Sequence, residues 1–428
     1  MVKVIGAGLA GVEAAYYLAN QNIKVKLYEM RPKKMTAAHQ TGHFAELVCS
    51  NSLRSNDLHN AVGLLKYEMS LFHSLIMQAA QHSSVPAGSS LAVDRELFSQ
   101  FIEDKIKNHP NIEVIQEEVQ KLNVDDYTII CAGPLASDDL SKNISELFHS
   151  EHLHFFDAIA PIIDAGSINM DIAYLKSRYD KGDAAYINCP MNQEEYDAFY
   201  QALIDAKVVQ IKDFENNVFE GCMPVEVMAK RGKETLLYGP LKPVGLEQEG
   251  LKRPHAVIQL RQDDAAKTMY NIVGFQTHLT WDEQKKIIHM IPGLENAKIL
   301  RYGVMHRNTY IESPKLLNSG FQSKQYPKLF FAGQISGVEG YVESAASGLN
   351  AAIQMRLLIN KQELKPLPIQ TMMGAMASYI SITNKSFVPM NANLGLLPAL
   401  EFKHSKKMRK ELYAKRALEA LKLFKEEL

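Results

Sequence analysis

Cysteine is scarce in this sequence of 428 residues, and the few cysteines present are far apart. They are Cys49, Cys131, Cys189 and Cys222, and no two of them form a CxxC pair. A disulfide oxidoreductase needs two cysteines a few residues apart, so this spacing disfavours that class. No secretory signal peptide is recognisable either, and we therefore expect reduced thiols in a cytoplasmic protein.

A surplus of positive charge is also absent. Lysine and arginine number 47 against 48 aspartate and glutamate, which gives a formal net charge of −1. No global basic field attracts nucleic acid, so a polyanionic partner would have to be bound by local patches. Long apolar runs are missing as well, because Gly, Glu or Lys interrupts each one well short of the roughly 20 residues that span a bilayer. We expect no transmembrane helix and no membrane partner.

The first residues of the chain carry a nucleotide-binding pattern. An apolar strand at residues 2–5 runs into Gly6-x-Gly8-x-x-Gly11, and a helical pattern and a second strand ending at Glu29 follow. Gly6 permits a tight turn, Gly8 lets the backbone approach a pyrophosphate, and Gly11 allows the helix to pack closely on the strand. The helix N terminus offers N–H groups to the anion, and Glu29 is placed to bind an adenosine ribose. The pattern predicts a dinucleotide site.

A second glycine-rich turn, late in the chain, favours FAD as the dinucleotide. Residues 329–352 read as a strand, a turn containing Gly333 and Gly340, and a helix of small residues. In flavoproteins such a segment closes the FAD domain, and the helix N terminus faces the flavin pyrimidine ring. The stretch TIICAGP at residues 128–134 resembles the strand that returns the chain to that domain. We therefore expect FAD, with Gly333 and Gly340 beside it.

The expected fold is α/β, with a Rossmann-like FAD-binding domain of the glutathione-reductase type that carries an inserted smaller α+β domain. Between about residues 160 and 305 polar and aromatic residues alternate in strand-like runs separated by turn signals. We assign residues 1–160 and 306–428 to the FAD-binding domain and residues 161–305 to an insertion that carries the substrate.

Four other residues have side chains that can bind metal, but we do not predict a metal site at any of them. Cys131 ends an apolar strand and Cys189 precedes a proline, so both are expected to be buried structural residues. His39 and His43 lie in a polar, loop-like stretch with no clear third ligand. We predict no metal.

Several longer motifs resemble a known family. They are FAELVCSNSLRS (44–55), SVPAGSSLAVDRELF (84–98), EGCMPVEVMAKRG (220–232), GPLKPVGL (239–246), RYGVMHRNTYIESPKLL (301–317), GVEGYVESAASGL (337–349) and PMNANLGLLP (389–398). In this order, over essentially the whole chain, they resemble the folate- and FAD-dependent RNA (uracil-5-)-methyltransferase family. Its best-known member forms ribothymidine in the T-loop of bacterial tRNA, and a paralogue acts on ribosomal RNA.

The resemblance implies methylation of carbon 5 of uridine to 5-methyluridine. 5,10-Methylenetetrahydrofolate would supply the carbon at the formaldehyde oxidation level, reduced FAD would supply two electrons, and NADH or NADPH would reduce the FAD. By the same resemblance Cys222 is the thiolate that adds to uracil carbon 6. Cys49 would assist, as the base that removes the carbon 5 proton or as a shield for the flavin adduct. Tyr341, His306 and Arg307 lie in family-like motifs and would line the uridine or folate pocket.

The surroundings of Cys222 in the sequence allow two interpretations of Glu226. Gly221 permits close backbone approach and Pro224 restricts the preceding residue, so Cys222 is expected on a stiff turn. Glu226 follows nearby, and a solvated surface carboxylate is the favoured interpretation, with a proton relay as the alternative.

RNA binding would depend on two local basic patches. Lys230 and Arg231 follow the Cys222 turn, and Lys406, Lys407 and Arg409 belong to a lysine- and arginine-rich C-terminal stretch. Such patches bind phosphates without reading bases, and their affinity falls steeply with salt.

The leading hypothesis is therefore an enzyme that methylates a tRNA T-loop uridine. One alternative is the paralogue that methylates a uridine of 23S ribosomal RNA. Two others are a catalytically inactive, flavin-containing RNA-binding protein and a small-molecule flavin oxidase or reductase. The presence of both Cys49 and Cys222 argues against loss of catalysis.

Overall fold

The structure, a computed structural model, describes residues 1–150, 153–181, 183–210, 223–383, 387–401, 405 and 408–428, and only the backbone of residues 155 and 306. Its strands are β1 (Val2–Ile5), β2 (Val25–Tyr28), β3 (Ser52–Ser55), β4 (Ser84–Val85), β5 (Ser90–Val93), β6 (Ile112–Ile115), β7 (Thr128–Ile130), β8 (Leu153–Ala158), β9 (Ile162–Asp164), β10 (Tyr174–Leu175), β11 (Tyr186–Met191), β12 (Ala256–Gln262), β13 (Met269–Ile272), β14 (Ile299–Arg301), β15 (Met305–Tyr310) and β16 (Leu329–Phe331). Its helices are α1 (Leu9–Asn20), α2 (Ala61–Ser70), α3 (Leu75–His82), α4 (Arg95–Lys107), α5 (Asp138–Phe148), α6 (Gln193–Asp205), α7 (Val225–Lys230), α8 (Thr235–Tyr238), α9 (Trp281–Ile288), α10 (Ser313–Leu316), α11 (Tyr341–Ile359), α12 (Met372–Ser381) and α13 (Arg409–Glu426).

A parallel five-stranded sheet in the order β16-β7-β1-β2-β6 forms the centre of the larger unit. The central strands are short and almost entirely apolar because helices cover both faces of the sheet. The strands expected at residues 2–5, 128–130 and 329–331 all lie in this sheet, side by side. The expected α/β fold with a Rossmann-like FAD-binding unit is confirmed.

Helices α1 and α11 pack against each other at very short range on this sheet. A side chain on Gly348 of α11 would place its Cβ 2.2 Å from the carbonyl oxygen of Ala10 in α1. The small residues along both helices therefore allow two backbones to approach more closely than larger side chains permit. This contact brings the N termini of both helices to the same edge of the sheet.

The insertion contains an antiparallel sheet in the order β10-β11-β12-β13-β9-β14. Ile163, Ile187, Leu260 and Ile272 alternate with polar residues along these strands and belong to a buried apolar cluster. Because side chains alternate across a strand, the polar residues lie on the opposite face. The sheet thus has one apolar face, which packs on helices, and one polar face.

The two hydrophobic cores of the molecule use separate parts of the chain. One comprises buried residues at positions 2–148 and 310–424, and the other comprises buried residues at positions 163–297. The antiparallel pair of β8 and β15 connects them. The domain boundaries at residues 160 and 305 remain a prediction, which this separation of the cores supports.

A small sheet and an edge strand are among the elements that the sequence did not predict. Strands β3, β5 and β4 form a small antiparallel sheet with an irregular register between Ser52 and Ser55, and β6 forms an edge of the parallel sheet. Each has four residues or fewer, which is too short for a clear alternation of apolar and polar residues. Among the described residues, none of the helices combines the length and the apolar character needed to cross a bilayer.

Two buried carboxyl groups hold the starts of neighbouring helices. Glu13 Oε2 accepts hydrogen bonds from Ser74 Oγ (2.9 Å) and from Ile76 N (2.9 Å) at the start of α3. Glu68 uses both oxygens, accepting from Met372 N (2.7 Å) and Met373 N (2.8 Å) at the start of α12. Burial raises the pKa of Glu13 to about 7 and the pKa of Glu68 to about 8, and these hydrogen bonds only partly oppose it.

These two glutamates are expected to respond differently to the same substitution by glutamine. Both folded-state pKa values lie above the ordinary value of 4.5, so the folded state binds these protons more tightly. Their stabilisation is complete below about pH 4.5 and is lost as pH rises through about 7 and 8. Glu13→Gln keeps the single acceptor oxygen and removes the titration. It is expected to flatten the decline of the unfolding free energy between pH 5 and 8 in urea titrations.

Glu68→Gln serves as the matched comparison. Its amide replaces one of two acceptors by a donor that faces a backbone N–H, so we expect a loss of about 1–3 kcal/mol at pH 6. An unchanged pH slope for Glu13→Gln, or full stability for Glu68→Gln, would contradict this account.

Candidate active site

A cleft of about 390 Å³ lies at the edge of the parallel sheet where α1 and α11 begin. Its volume is within the range of small-molecule sites. Residues of the insertion, Arg261 and Gln276, also line it. Of the residues predicted from the sequence, those that line the cleft are Gly6, Gly8, Glu29, Cys49, Gly333, Gly340 and Tyr341.

The three glycines of the first turn have different surroundings. Gly6 has a φ of +100°, and a Cβ there would lie 2.4 Å from the carbonyl oxygen of Cys131. A Cβ on Gly11 would lie 1.8 Å from the carbonyl oxygen of Gly6, so this glycine serves helix packing. A Cβ on Gly8 would meet nothing within 4 Å, and no side chain caps the helix that begins after it. Open space in front of uncapped helical N–H groups fits a pyrophosphate.

The carboxylate of Glu29 is buried at this end of the cleft. Its oxygens accept hydrogen bonds from Ala7 N (2.9 Å) and from Arg31 Nε (2.9 Å). Burial alone would raise the pKa of Glu29, but the charge and hydrogen bonds of Arg31 outweigh it and lower the pKa below its ordinary value. Glu29 is therefore ionised. Its binding of a ribose stays a prediction, because protein donors already contact both of its oxygens.

Cys49 lies beside the N terminus of α11. The hydroxyl oxygen of Tyr341, the first residue of α11, accepts hydrogen bonds from Cys49 N (2.7 Å) and Ser50 N (3.2 Å). The thiol of Cys49 donates to Asp157 Oδ2 at 3.4 Å. Burial and then the Asp157 charge raise the pKa of Cys49 well above its ordinary value. Cys49 is therefore a protonated thiol with a carboxylate in contact. No motif pointed to Asp157, which lies in β8.

Acidic side chains gather around the same helix end. Glu339 is buried, and burial and the charge of Asp157 raise its pKa well above the ordinary value. Glu343, also buried, forms an ion pair with Arg54, and its Oε1 accepts from Ala392 N at 2.8 Å. The helix N terminus favours negative charge here, and after burial the charges of Asp157 and Glu343 disfavour ionisation of Glu339 and raise its pKa.

The structure corrects the favoured interpretation of Glu226. Its side chain is fully buried instead of solvated. It accepts hydrogen bonds from Thr277 Oγ1 (2.9 Å) and His278 N (2.8 Å), because α7 packs against the segment that follows β13. Glu226 therefore joins α7 to that segment.

The remaining predicted residues fall into three groups. Cys131 and Cys189 are buried, as expected. Lys230 and Arg231 are exposed at the C-terminal end of α7, and Arg409 begins α13 with its guanidinium over the ring of Tyr413. Outside the described residues lie Cys222, Lys406 and Lys407.

Two further expectations concern the pocket and metals. Arg307 is exposed on β15 and is not part of the cleft lining, and the side chain of His306 is outside the description. Within the described ranges, no three His, Cys, Asp or Glu side chains gather in a way that suits a metal ion.

Known proteins resemble this chain in sequence and in fold. The family model described as glucose inhibited division protein A matches residues 1–363. A methylenetetrahydrofolate–tRNA-(uracil-5-)-methyltransferase TrmFO from Acholeplasma laidlawii is 67% identical, over 99% of this chain and 98% of its own. The protein of the same name from Bacillus subtilis is 59% identical, over 98% of this chain and 97% of its own. The structure of Aquifex aeolicus GidA matches with a TM-score of 0.72 at 15% identity, over 98% of this chain and 73% of that one, which shows the shared fold.

Substitution of two glycines should separate cofactor contact from packing. Gly8 has a φ of −75°, which alanine adopts readily, and the added methyl projects into the cleft. Gly8→Ala is expected to keep the melting temperature of the apoprotein and to weaken FAD binding in a flavin titration. Gly11→Ala forces a clash with backbone and should cost about 1–3 kcal/mol of stability or more. Equal effects of the two changes on apoprotein stability would contradict the distinction.

The carboxylate beside Cys49 should control the reactivity of that thiol. Asp157→Asn removes a negative charge, so the pKa of Cys49 should fall and more thiolate should be present at a given pH. Alkylation of Cys49 by iodoacetamide at pH 8–9, followed by peptide mass spectrometry, should be faster in the variant. Cys131, which has no carboxylate among the causes that raise its pKa, is the internal control. Slower or unchanged alkylation of Cys49 would refute the assignment.

Proposed function

The chain belongs to the glucose inhibited division protein A family, and on that premise we propose that it methylates carbon 5 of a uridine in tRNA. The one-carbon donor is 5,10-methylenetetrahydrofolate, the redox cofactor is FAD, and NADH or NADPH is the reductant. One observation carries the proposal: Cys49 lies in the cleft where two helix N termini meet, in a chain nearly co-extensive with closely similar tRNA (uracil-5-)-methyltransferases.

The residues around the cleft suit FAD as the bound group. When bound, reduced FAD supplies the two electrons that bring a methylene-level carbon to a methyl group. The N terminus of α1 would hold the pyrophosphate, and the N terminus of α11 would stabilise negative charge on the flavin ring. The residues proposed to hold FAD are Gly6, Gly8, Gly11, Glu29, Gly333 and Gly340.

The two thiols have different proposed roles. Carbon 5 of uracil is too weak a nucleophile until a thiolate adds at carbon 6 and an enolate forms. We assign this addition to Cys222. The raised pKa of Cys49 supports that division, since a thiol with little thiolate at neutral pH is a poor nucleophile. Cys49, with Asp157 as the acceptor of its proton, is suited to proton transfer at carbon 5 or to shielding the reacting carbon from water.

The RNA is held by contacts to its phosphates. We propose Lys230, Arg231, Lys406, Lys407 and Arg409 for this role, and the target base leaves its stack to reach Cys49, at a cost of a few kcal/mol. The relatives compared above are tRNA enzymes by name, and no observation favours 23S ribosomal RNA, an inactive RNA-binding protein or a small-molecule oxidase. A cytoplasmic location, where folate and tRNA meet, and the domain boundaries at residues 160 and 305 are parts of the same proposal.

The test combines the purified protein with NADPH, methylenetetrahydrofolate and an unmodified tRNA transcript. We expect 5-methyluridine in the T-loop by nucleoside mass spectrometry, and none on a fragment of ribosomal RNA. Omission of folate should abolish the product. A colourless protein that takes up no FAD, or product on ribosomal RNA alone, would overturn the proposal.

Cys222→Ala tests the thiol assignment. The variant should retain its yellow flavin and its NADPH oxidation, because it still binds FAD, and should form no 5-methyluridine. A Cys222→Ala protein with wild-type methylation would remove Cys222 from the mechanism. The parallel Cys222→Ser protein checks that loss of activity follows loss of the thiol and not loss of bulk.

A further inference from the structure

The polar face of the inserted sheet carries a row of residues in register. Arg261 on β12 pairs with Asn271 on β13, Asn271 pairs with Ile162 on β9, and Ile162 pairs with Arg301 on β14. Residues directly opposite one another on neighbouring strands point to the same face. Arg261 and Asn271 therefore share one face. The register of β14 shifts between Ile299 and Arg301, and the charges of Arg95 and Cys49 that act on Arg301 place it on the same side of the sheet, about 10 Å from Asn271 across the intervening strand.

This face is directed to the segment that carries Cys49. Arg261 Nε donates to Asn51 Oδ1 at 2.9 Å, and Arg261 NH2 donates to Ser50 Oγ at 2.6 Å. Asn51 in turn donates to the carbonyl oxygen of Gln262 at 2.8 Å. Arg261 itself lines the cleft. The row thus begins within two residues of the Cys49 thiol.

Hydrogen bonding along this face is complete at one end and incomplete at the other. Away from the cleft, Asn188 accepts from Gln259 (2.9 Å), and Gln259 accepts from Arg178 (3.1 Å). Among the described residues, Asn271 Nδ2 and Arg301 Nε are buried donors without a partner. A buried donor left unpaired costs about 1–3 kcal/mol, so two of them in one row indicate a ligand that accepts hydrogen bonds.

The charges on the row are also unbalanced. Arg95 forms a bidentate ion pair with Asp263, at 2.9 and 3.1 Å. In the described part of the chain, no carboxylate lies within ion-pair distance of Arg261 or Arg301. Burial lowers the pKa of both, and the Arg95 charge lowers that of Arg301 further, although each guanidinium stays charged. Arg261 is buried and Arg301 is partly buried, and cations withdrawn from water without counter-ions favour an anion.

We propose that Asn271 and Arg301, next to Arg261, form a subsite that binds an anionic oxygen group of a substrate. This inference rests on the proposed methyl transfer, whose substrates carry two such groups: the glutamate carboxylates of the folate and the phosphates beside the target uridine. Arg301 supplies the charge and Nε–H, and Asn271 supplies the amide N–H. Arg261 lines the cleft, whereas Asn271 and Arg301 lie behind it, so the subsite extends from the insertion side of the cleft.

The experiment measures binding to the FAD-loaded protein, so that it does not require turnover. Dissociation constants are determined for tetrahydrofolate with one glutamate, for its analogue without glutamate, and for a tRNA transcript. The variants are Arg301→Gln and Asn271→Asp. The second is isosteric, keeps an acceptor for Arg261 and replaces the unpaired donor by a negative charge, so it should fold even if Arg301→Gln is unstable.

Each variant should raise the dissociation constant of one ligand by at least about tenfold, which is the effect expected from the loss of a charge-assisted hydrogen bond. If the anion is a carboxylate, the loss appears with the glutamate-containing folate and disappears with the analogue. If it is a phosphate, the loss appears with tRNA, and the slope of log affinity against log salt falls by about one. Arg178→Gln is the matched control, because Arg178 lies in the turn after β10 and its guanidinium already bonds Gln259 of β12. It should change stability only.

Affinities within twofold of wild type for all ligands in both variants would overturn the subsite and leave these residues a structural role. Failure of the methylation assay with intact folate or RNA binding would count against the proposed function and not against the subsite. If the protein neither methylates tRNA nor binds folate or RNA, both the proposed function and the subsite are refuted.

Discussion

The segment from Cys49 to Asn51 is held from two directions, and the shape of the cleft depends on this. On one side the Tyr341 hydroxyl accepts the N–H groups of Cys49 and Ser50, and on the other Arg261 donates to Ser50 and Asn51. One contact comes from the FAD-binding unit and the other from the insertion. Because both use short, directional hydrogen bonds in a buried setting, the segment fixes the two units relative to each other.

The same arrangement explains why ionisable groups are buried here. Asp157, Glu339 and Glu343 lie near the N terminus of α11, where the helix dipole offsets part of the cost of negative charge. Arg54, in an ion pair with Glu343, balances some of this charge. Burying apolar side chains here would cost less free energy than burying charged ones. Buried ionisable groups of this kind are typical of a site that moves protons or binds charged ligands. Burial, and then the charge of Asp157 next to it, raise the pKa of Cys49 and keep its thiol protonated.

The insertion forms a hydrophobic core of its own and also contributes side chains to the cleft. Side chains alternate between the two faces of its sheet. One face packs into a hydrophobic core, and the other carries Arg261, Asn271 and Arg301. Arg95 and Asp263 join this sheet to α4. The cleft therefore has one end formed by the N termini of α1 and α11, and Arg261 and Gln276 of the insertion line its other side.

The sequence by itself determined the features that depend on local geometry. The turn at Gly6, the open position at Gly8 and the packing of Gly11 follow from backbone conformation within a dozen residues, and the longer motifs identified the family and the candidate thiols. Only the tertiary structure decided the partners of Cys49 and the state of Glu226. Asp157 meets Cys49 from 108 positions away and Tyr341 from 292, and Glu226 is buried by a segment 51 positions away. Burial and charge come from neighbours in space, and spacing along the chain does not reveal which residues those are.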